Sequence, residues 1–326
     1  MKVLITGGRG TIGSKLAAYC AELGHAVAIT SRRAQASSLG ASVVICSDLS
    51  AGSIERGINR SSFGVPDLVF HLASSLKFHQ SRAALYSSNV ALTKNVLDYC
   101  ALAGVKTFVL ASSIEAQGPG KTKGGAIDET RMPEPASNYG WSKLMAEKTV
   151  LERSSDGVRK LIARIGNVYD PDKCSMLSEI VKSLKDKREL WFFRSELREA
   201  AVCPVALNDL VRGLMLLAEK GRDGGIYYLV GSKEITLGAV LEGLDRANGL
   251  TTSYPPVSPA KYLLLKAYEK AFRTLGFGDT LSYIFSGGPE KLSRLYSGDK
   301  ALKELGFAPA TELDRVMDRL VTGRSQ

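Results

Sequence analysis

The sequence predicts an α/β protein, a doubly wound parallel sheet flanked by helices with a smaller C-terminal lobe. Three observations carry that reading. Short apolar strands alternate with helical stretches through the first half of the chain, joined by short turns. A glycine-rich turn follows the first strand at once and opens a helix. Beyond Tyr169 the alternation loosens into short strands, loops and separate helices, which is where a second lobe belongs.

Lys2-Val3-Leu4-Ile5-Thr6 forms the first buried strand, and the amphipathic run Ser14–Leu23 the first helix. Between them stands Gly7-Gly8-Arg9-Gly10-Thr11-Ile12-Gly13. Gly7 permits the tight turn, Gly10 lets backbone approach a pyrophosphate, and Gly13 lets the helix pack close to the strand. The N–H groups of the helix N-terminus then face the phosphates. Read blandly, the same glycines make only a tight strand-to-helix turn.

Ala26–Thr30 is the second strand and ends in Ser31-Arg32-Arg33. In a dinucleotide site an acidic residue here would accept the ribose 2′-OH and select NAD. Ser31 cannot repel a phosphate, and guanidinium pairs phosphate in a fork. With Arg9 directed to the same region, the segment predicts NADP(H), with NAD(H) as the alternative if Arg32 and Arg33 are ordinary loop charges.

Ser42–Cys46 reads as the third strand, ending at Asp48-Leu49, and Asp67–Leu72 as the fourth, running into Ala73-Ser74. Gln80–Ala103 reads as a helix, Lys106–Ala111 as the fifth strand, Ser137–Arg153 as a helix and Val158–Ile165 as the sixth strand. This βαβ succession places any ligand outside the carboxyl ends of the strands. Residues 1–170 with 204–231 make the cofactor-binding domain, and 171–203 with 232–326 the substrate-binding lobe.

At 326 residues and 44% apolar composition, the chain can bury one large core or a main domain with a lobe. No apolar run reaches the length of a membrane span, and Met1 leads straight into a strand, so no signal peptide is expected. The five cysteines, Cys20, Cys46, Cys100, Cys174 and Cys203, are scattered, which suits a cytoplasmic setting and offers no metal site. His25, His71 and His79 are likewise dispersed, with His71 expected buried at a strand end. The net charge of +10 fits an anionic small-molecule substrate. Without a basic arm or aromatic-interleaved patch it does not point to nucleic acid.

Tyr139 and Lys143 stand four apart, one helical turn from each other, and Ser113 ends the preceding strand. An unperturbed tyrosine titrates near about 10, too high for a base at neutral pH. A neighbouring ammonium and an oxidised nicotinamide ring both favour phenolate. The Ser113 hydroxyl can hydrogen-bond a substrate oxygen.

Taken together, the chain resembles an extended short-chain dehydrogenase/reductase of the nucleotide-sugar epimerase/dehydratase type, over nearly all its length. The matching residues begin with Thr6-Gly7-Gly8-x-Gly10-x-x-Gly13, Asp48-Leu49, His71-Leu72-Ala73, Asn89 and Ser112-Ser113. They continue through Asp128-Glu129, Tyr139-x-x-x-Lys143, Arg164-x-x-Asn167-Val168-Tyr169, Asn208-Asp209-Leu210 and Tyr228-x-Val230-Gly231. Asp299-Lys300-Ala301 and Glu304-Leu305-Gly306-Phe307-x-Pro309 close the pattern. The resemblance implies a Rossmann fold with Ser113, Tyr139 and Lys143 as catalytic residues. It implies cofactor contacts from Gly7, Arg9, Gly10, Thr11, Ile12, Gly13, Ser31, Arg32, Arg33, Asp48, Leu49, Leu72, Ala73, Ser74, Asn89 and Lys143. Substrate contacts would come from Ser74, Glu115, Asn167 and Arg198. It also implies a homodimer pairing through helices 80–103 and 137–153.

The departures bear on substrate. Gln117 precedes Gly118 where the family often has Tyr. Ile114-Glu115 lacks the Asp of nucleotide-sugar dehydratases, which disfavours elimination of water, and Glu115 alone is similar to the Ser-x-Glu of sugar-nucleotide decarboxylases or is a simple loop carboxylate. From Arg198 to Asp209 the chain is longer than usual, and Ala200–Val205 lacks the common Asp-x-Ile-His-Val form, leaving the diphosphate clamp open. Pro259–Leu275 reads as a basic amphipathic helix that packs on the protein or lies on a membrane surface. Two substrate classes stand: a nucleotide-activated sugar, reduced or epimerised at one carbon, or a hydrophobic alcohol or ketone such as a sterol, terpenoid or lipid.

Overall fold

The computed structural model describes residues 1–32, 41–46, 48–76, 80–119, 126–153, 157–170, 201–231, 235–236, 239 and 295–310. Seven parallel strands form the main sheet: β1 (Lys2–Thr6), β2 (Ala26–Ser31), β3 (Ser42–Ile45), β4 (Leu68–His71), β5 (Thr107–Ser113), β6 (Arg159–Ile165) and β10 (Gly225–Leu229). Their spatial order is β3-β2-β1-β4-β5-β6-β10. The chain thus winds outward from β1 to β3, returns, and winds the other way from β4. That reversal opens a crevice at the carboxyl ends of β1 and β4, where such sheets bind ligands.

Helices cover both faces, which is why the strands are apolar nearly throughout. On one face Val3, Ile5, Phe70 and Val109 pack against Leu16 and Cys20 of α1 (Thr11–Glu22) and Leu210, Leu214 and Leu217 of α7 (Leu207–Lys220). On the other, Leu4, Val69 and Leu110 meet Ile54 and Ile58 of α2 (Ala51–Ser61), Val96 and Leu97 of α4 (Leu92–Ala103) and Val150 of α6 (Asn138–Leu151). Each such buried side chain contributes roughly 1.5–3 kcal/mol. α2 is a helix the sequence reading does not place, because only Ile54 and Ile58 mark its apolar stripe.

The stretch expected as one helix over Gln80–Ala103 is three pieces: α3 (Arg82–Leu85), a wide π turn (Tyr86–Ala91) and α4. The π turn carries Asn89, whose side chain is drawn sideways into contacts described below. β5 ends at Ser113, with Ser112 and Ser113 closing the strand as expected, and α5 (Ile114–Gln117) starts directly from it. Two small pairings, β7 (Asn167–Tyr169) with β9 (Pro204–Ala206) and β8 (Ala201–Val202) with β11 (Ile235–Thr236), lie beyond β6.

Near the C-terminus, α8 (Asp299–Leu305) and the residues after it return to the main sheet layer. Ala301, Leu305 and Phe307, assigned on sequence to the substrate lobe, are buried in the same cluster as β1 and α7. Residues 171–200 and 241–294, with Arg198, Cys174, Trp191 and the 259–287 segment, lie outside the described residues. No described helix is long and apolar enough to cross a membrane.

Candidate active site

The glycine turn is built as its spacing requires. Gly7 has a φ of +71°, and a Cβ there would meet Ala73 N at 2.8 Å. A Cβ on Gly13 would meet the Gly7 carbonyl oxygen at 2.3 Å, so α1 can approach β1 this closely only with glycine. Gly10 precedes α1 without a side-chain cap, and no acidic residue stands in the first turn. The N–H groups at Thr11 and Ile12 therefore lack intrahelical acceptors, and no acidic side chain of the first turn competes for them. Across the turn, Arg9 Nε donates to Ser31 Oγ at 3.1 Å, which sets a guanidinium at the end of β2. Arg32 is exposed beside it, and Arg33 lies outside the described residues.

Asp48 accepts the N–H of Ser50 at 2.9 Å and its hydroxyl at 2.5 Å, an Asx turn that launches α2. Leu49 packs against the core beside it. After β4, Thr6 Oγ1 lies 2.7 Å from His71 Nδ1 and accepts the Ala73 N–H at 3.3 Å. Leu72, Ala73 and Ser74 then run half-buried along the crevice. Asn89 uses its side chain on the protein: Oδ1 accepts the Ser75 N–H at 2.7 Å, while Nδ2 donates to Ser75 O and to Ser142 Oγ. Its side chain thus braces the loop at Ser75 against α6. A strand-to-helix turn with open N–H groups, a cradle a Cβ would fill and a guanidinium at the β2 end fit a dinucleotide.

The three residues expected to be catalytic lie around the end of β5: Ser113 closes the strand, and Lys143 reaches its Ala111 carbonyl. Ser137 Oγ caps α6 by accepting the Gly140 N–H at 2.9 Å, fixing where the helix starts. Tyr139 follows, buried, and Lys143 lies one turn on with Nζ 5.8 Å from the Tyr139 ring centre. Lys143 Nζ donates to the Ala111 carbonyl at 2.9 Å. Burial pushes this ammonium down to about 8, with Glu147 opposing. His71, 1% exposed, is pushed down to about 3 by burial and by the Lys143 charge, so it stays neutral near neutral pH. Ser113 Oγ accepts the Glu115 N–H at 3.2 Å as the cap of α5, which leaves its hydroxyl proton to donate.

Glu115 is 3% exposed and buried beside α6, which excludes the surface-carboxylate reading. Asn167 is buried in β7 and donates its N–H to Cys203 O at 3.0 Å. Trp141, left open between core and pocket, sits on the outer side of α6 beneath Arg82 (5.2 Å to the ring centre) and near Tyr86. The four described cysteines are buried. Among the described residues no cluster could hold a metal.

Sequence reasoning missed the polar group behind the trio. Ser112, Arg164 and Tyr228 occupy one register rung across β5, β6 and β10. Arg164 grips the Glu147 carboxylate with Nε–Oε1 3.0 Å and Nη2–Oε2 2.8 Å, and Ser112 Oγ donates to Glu147 Oε1 at 2.5 Å. Arg164 Nη1 reaches Gln117 Oε1 and the Tyr228 hydroxyl, and Gln117 Nε2 donates to the Arg131 and Met132 carbonyls. Removing one member of such a buried pair costs roughly 3–5 kcal/mol. The available signal was Glu147 falling on the Tyr139–Lys143 face of α6, four residues further on.

A glycine turn at the sheet's switch point and a Ser–Tyr–Lys trio at the next strand end define an enzyme of the short-chain dehydrogenase/reductase kind. Residues 3–231 match the NAD dependent epimerase/dehydratase family, and the chain belongs to it. It is 24% identical to the 4-hydroxy-2-methyl-3-oxo-4-farnesyl-3,4-dihydroquinoline-1-oxide ketoreductase of Stigmatella aurantiaca, over 77% of this chain and 74% of that one. It is 30% identical to a UDP-N-acetyl-alpha-D-glucosaminuronate decarboxylase of Bacillus cytotoxicus over 52% of this chain, spanning about half (55%) of that protein. Among solved structures, a short-chain dehydrogenase/reductase superfamily protein from Agrobacterium tumefaciens with bound NAD superposes with a TM-score of 0.72, at 21% identity, over 99% of this chain and 96% of that one.

Proposed function

We propose that the protein is an NADP(H)-dependent oxidoreductase acting at a secondary alcohol or ketone carbon, with Tyr139 as acid and base. The buried Lys143 ammonium, held between the Ala111 carbonyl and the Tyr139 ring, is the observation that carries this reading. A bound nicotinamide coenzyme would supply or accept the hydride. In reduction the Ser113 hydroxyl donates a hydrogen bond to the carbonyl oxygen, and the Tyr139 O–H gives that oxygen its proton. In oxidation the phenolate takes the hydroxyl proton back. Lys143 favours the phenolate by charge and, on the family resemblance, also holds the nicotinamide ribose.

The preference for NADP(H) is supported by Arg9 meeting Ser31 where an acidic residue would select NAD. For substrate, a hydrophobic ketone or alcohol accounts best for the observations. The Stigmatella relative, whose name carries a farnesyl group, aligns over most of both chains. The sequence also lacks the usual diphosphate-clamp form before Asp209. A nucleotide-activated sugar is the second reading, favoured by the relative named for a UDP-sugar acid and by the net charge of +10. The Arg82–Trp141–Tyr86 cluster and exposed Leu102 on helices α3 to α6 support a homodimer through a four-helix interface. The buried thiols, scattered along the chain, suit a cytoplasmic setting.

The test is a panel of hydroxysteroid and terpenoid ketones and nucleotide sugars, followed by loss of NADPH absorbance, with Tyr139→Phe as control. We expect turnover of an apolar ketone in the wild type, none in Tyr139→Phe, and NADPH affinity within a few-fold of wild type. Appreciable turnover by Tyr139→Phe would remove the phenol from its role.

A further inference from the structure

Tyr139, Lys143 and Glu147 rise along one face of α6 at successive turns. A lysine and a glutamate at this spacing readily pair with one another on a helix. Here the partners are diverted. Lys143 Nζ turns to the Ala111 carbonyl at 2.9 Å. Both Glu147 oxygens are taken by the Arg164 fork, and one of them also by Ser112. Arg164 is 2% exposed and is held in turn by Gln117 and Tyr228, so the fork has one orientation.

We propose that Arg164 is a positioning residue for the proton transfer: by holding the Glu147 carboxylate in a bidentate grip, it prevents that anion from neutralising Lys143 and leaves the ammonium's charge to the Tyr139 phenol. The inference rests on the reading of Tyr139 as acid and base. Arg164 touches neither substrate nor coenzyme in this scheme; it acts through Glu147.

The other charged and titratable groups around the trio do not replace this effect. His71 at the end of β4 is neutral, and the exposed Arg82 of α3 lies over Trp141. Glu115 is on α5, and Tyr228 is the far end of the same network. An unneutralised Glu147 would sit two helical turns from the phenol, about 12 Å. At that range, with the effective dielectric of a protein, one charge moves a titration by about one pH unit. An added anion disfavours phenolate, so the movement is upward.

The experiment follows phenolate absorbance against pH in the full-length protein with NADP+ present, subtracting a Tyr139→Phe background so that only one of the 12 tyrosines is read. In Arg164→Gln the Tyr139 titration is expected about one pH unit above wild type. In the double variant Glu147→Gln/Arg164→Gln, with the anion gone too, it is expected back near wild type. A merely structural role would leave the double variant at least as disturbed as the single. If Arg164→Gln does not fold, Arg164→Lys, which keeps the charge but loses the fork, should move the titration upward by less. An unmoved titration in the folded single variants, or no recovery in the double, overturns the inference and leaves Tyr139 in its role. If wild-type Tyr139 with NADP+ titrates no lower than an ordinary phenol, about 10, the role of Tyr139 itself fails and the inference with it.

Discussion

The Thr6 hydroxyl stands 2.7 Å from His71 Nδ1 and also receives the Ala73 N–H at 3.3 Å, tying the ends of two neighbouring strands to the loop that borders the cofactor crevice. One small side chain therefore fixes both a buried imidazole and the backbone at Ala73. Thr6→Val keeps the shape and removes both contacts. We expect a loss of about 1–3 kcal/mol in urea unfolding, the cost of stranding buried polar groups. We also expect weaker NADPH binding by calorimetry. A fully stable Thr6→Val protein would show that the hydroxyl is not needed.

His71 also makes the fold acid-sensitive. Its folded-state value of about 3 lies below that of the unfolded chain, so between the two the unfolded state binds more protons. The stabilisation is complete above about 6.5 and is lost as pH falls, at about 1.4 kcal/mol per unit. Urea midpoints measured from about pH 7 to about pH 4 should therefore fall more steeply in wild type than in His71→Asn. Parallel curves would contradict this.

Coenzyme choice is open to direct measurement. Replacing Arg9 by Ala, or Arg32 and Arg33 together, should weaken NADPH at least about tenfold while leaving NADH nearly unchanged, because only the former loses charge-assisted hydrogen bonds. Equal losses for both coenzymes would withdraw the NADP(H) preference.

Leu102 is 82% exposed on α4, one of the helices proposed to pair in a dimer. Leu102→Asp should halve the solution mass seen by light scattering if α4 lies in a dimer interface. A wild-type monomer, or an unaffected dimer, would place the contact elsewhere or nowhere.

Much of this was legible because strand and glycine signals are local. The buried strands read directly from Val3–Ile5 and Val69–Phe70, and the Tyr139–Lys143 spacing put both side chains on one helix face. What the sequence could not show depends on distant partners. Nothing around Asn89 announces that Ser75 and Ser142 will pull it out of helical register. Arg164 and Glu147 lie 17 residues apart and meet only because β6 passes beneath α6. Phe307 looks like a lobe residue until the chain's return places it against α7.

The π turn at Tyr86–Ala91 makes chain length there a matter of rotation. A regular α-helix advances about 100° per residue, so deleting one residue to restore regularity would spin either Asn89 or the Val96–Cys100 face away from its seat. Shortening this segment by a single position should thus be far more damaging than most point substitutions within it.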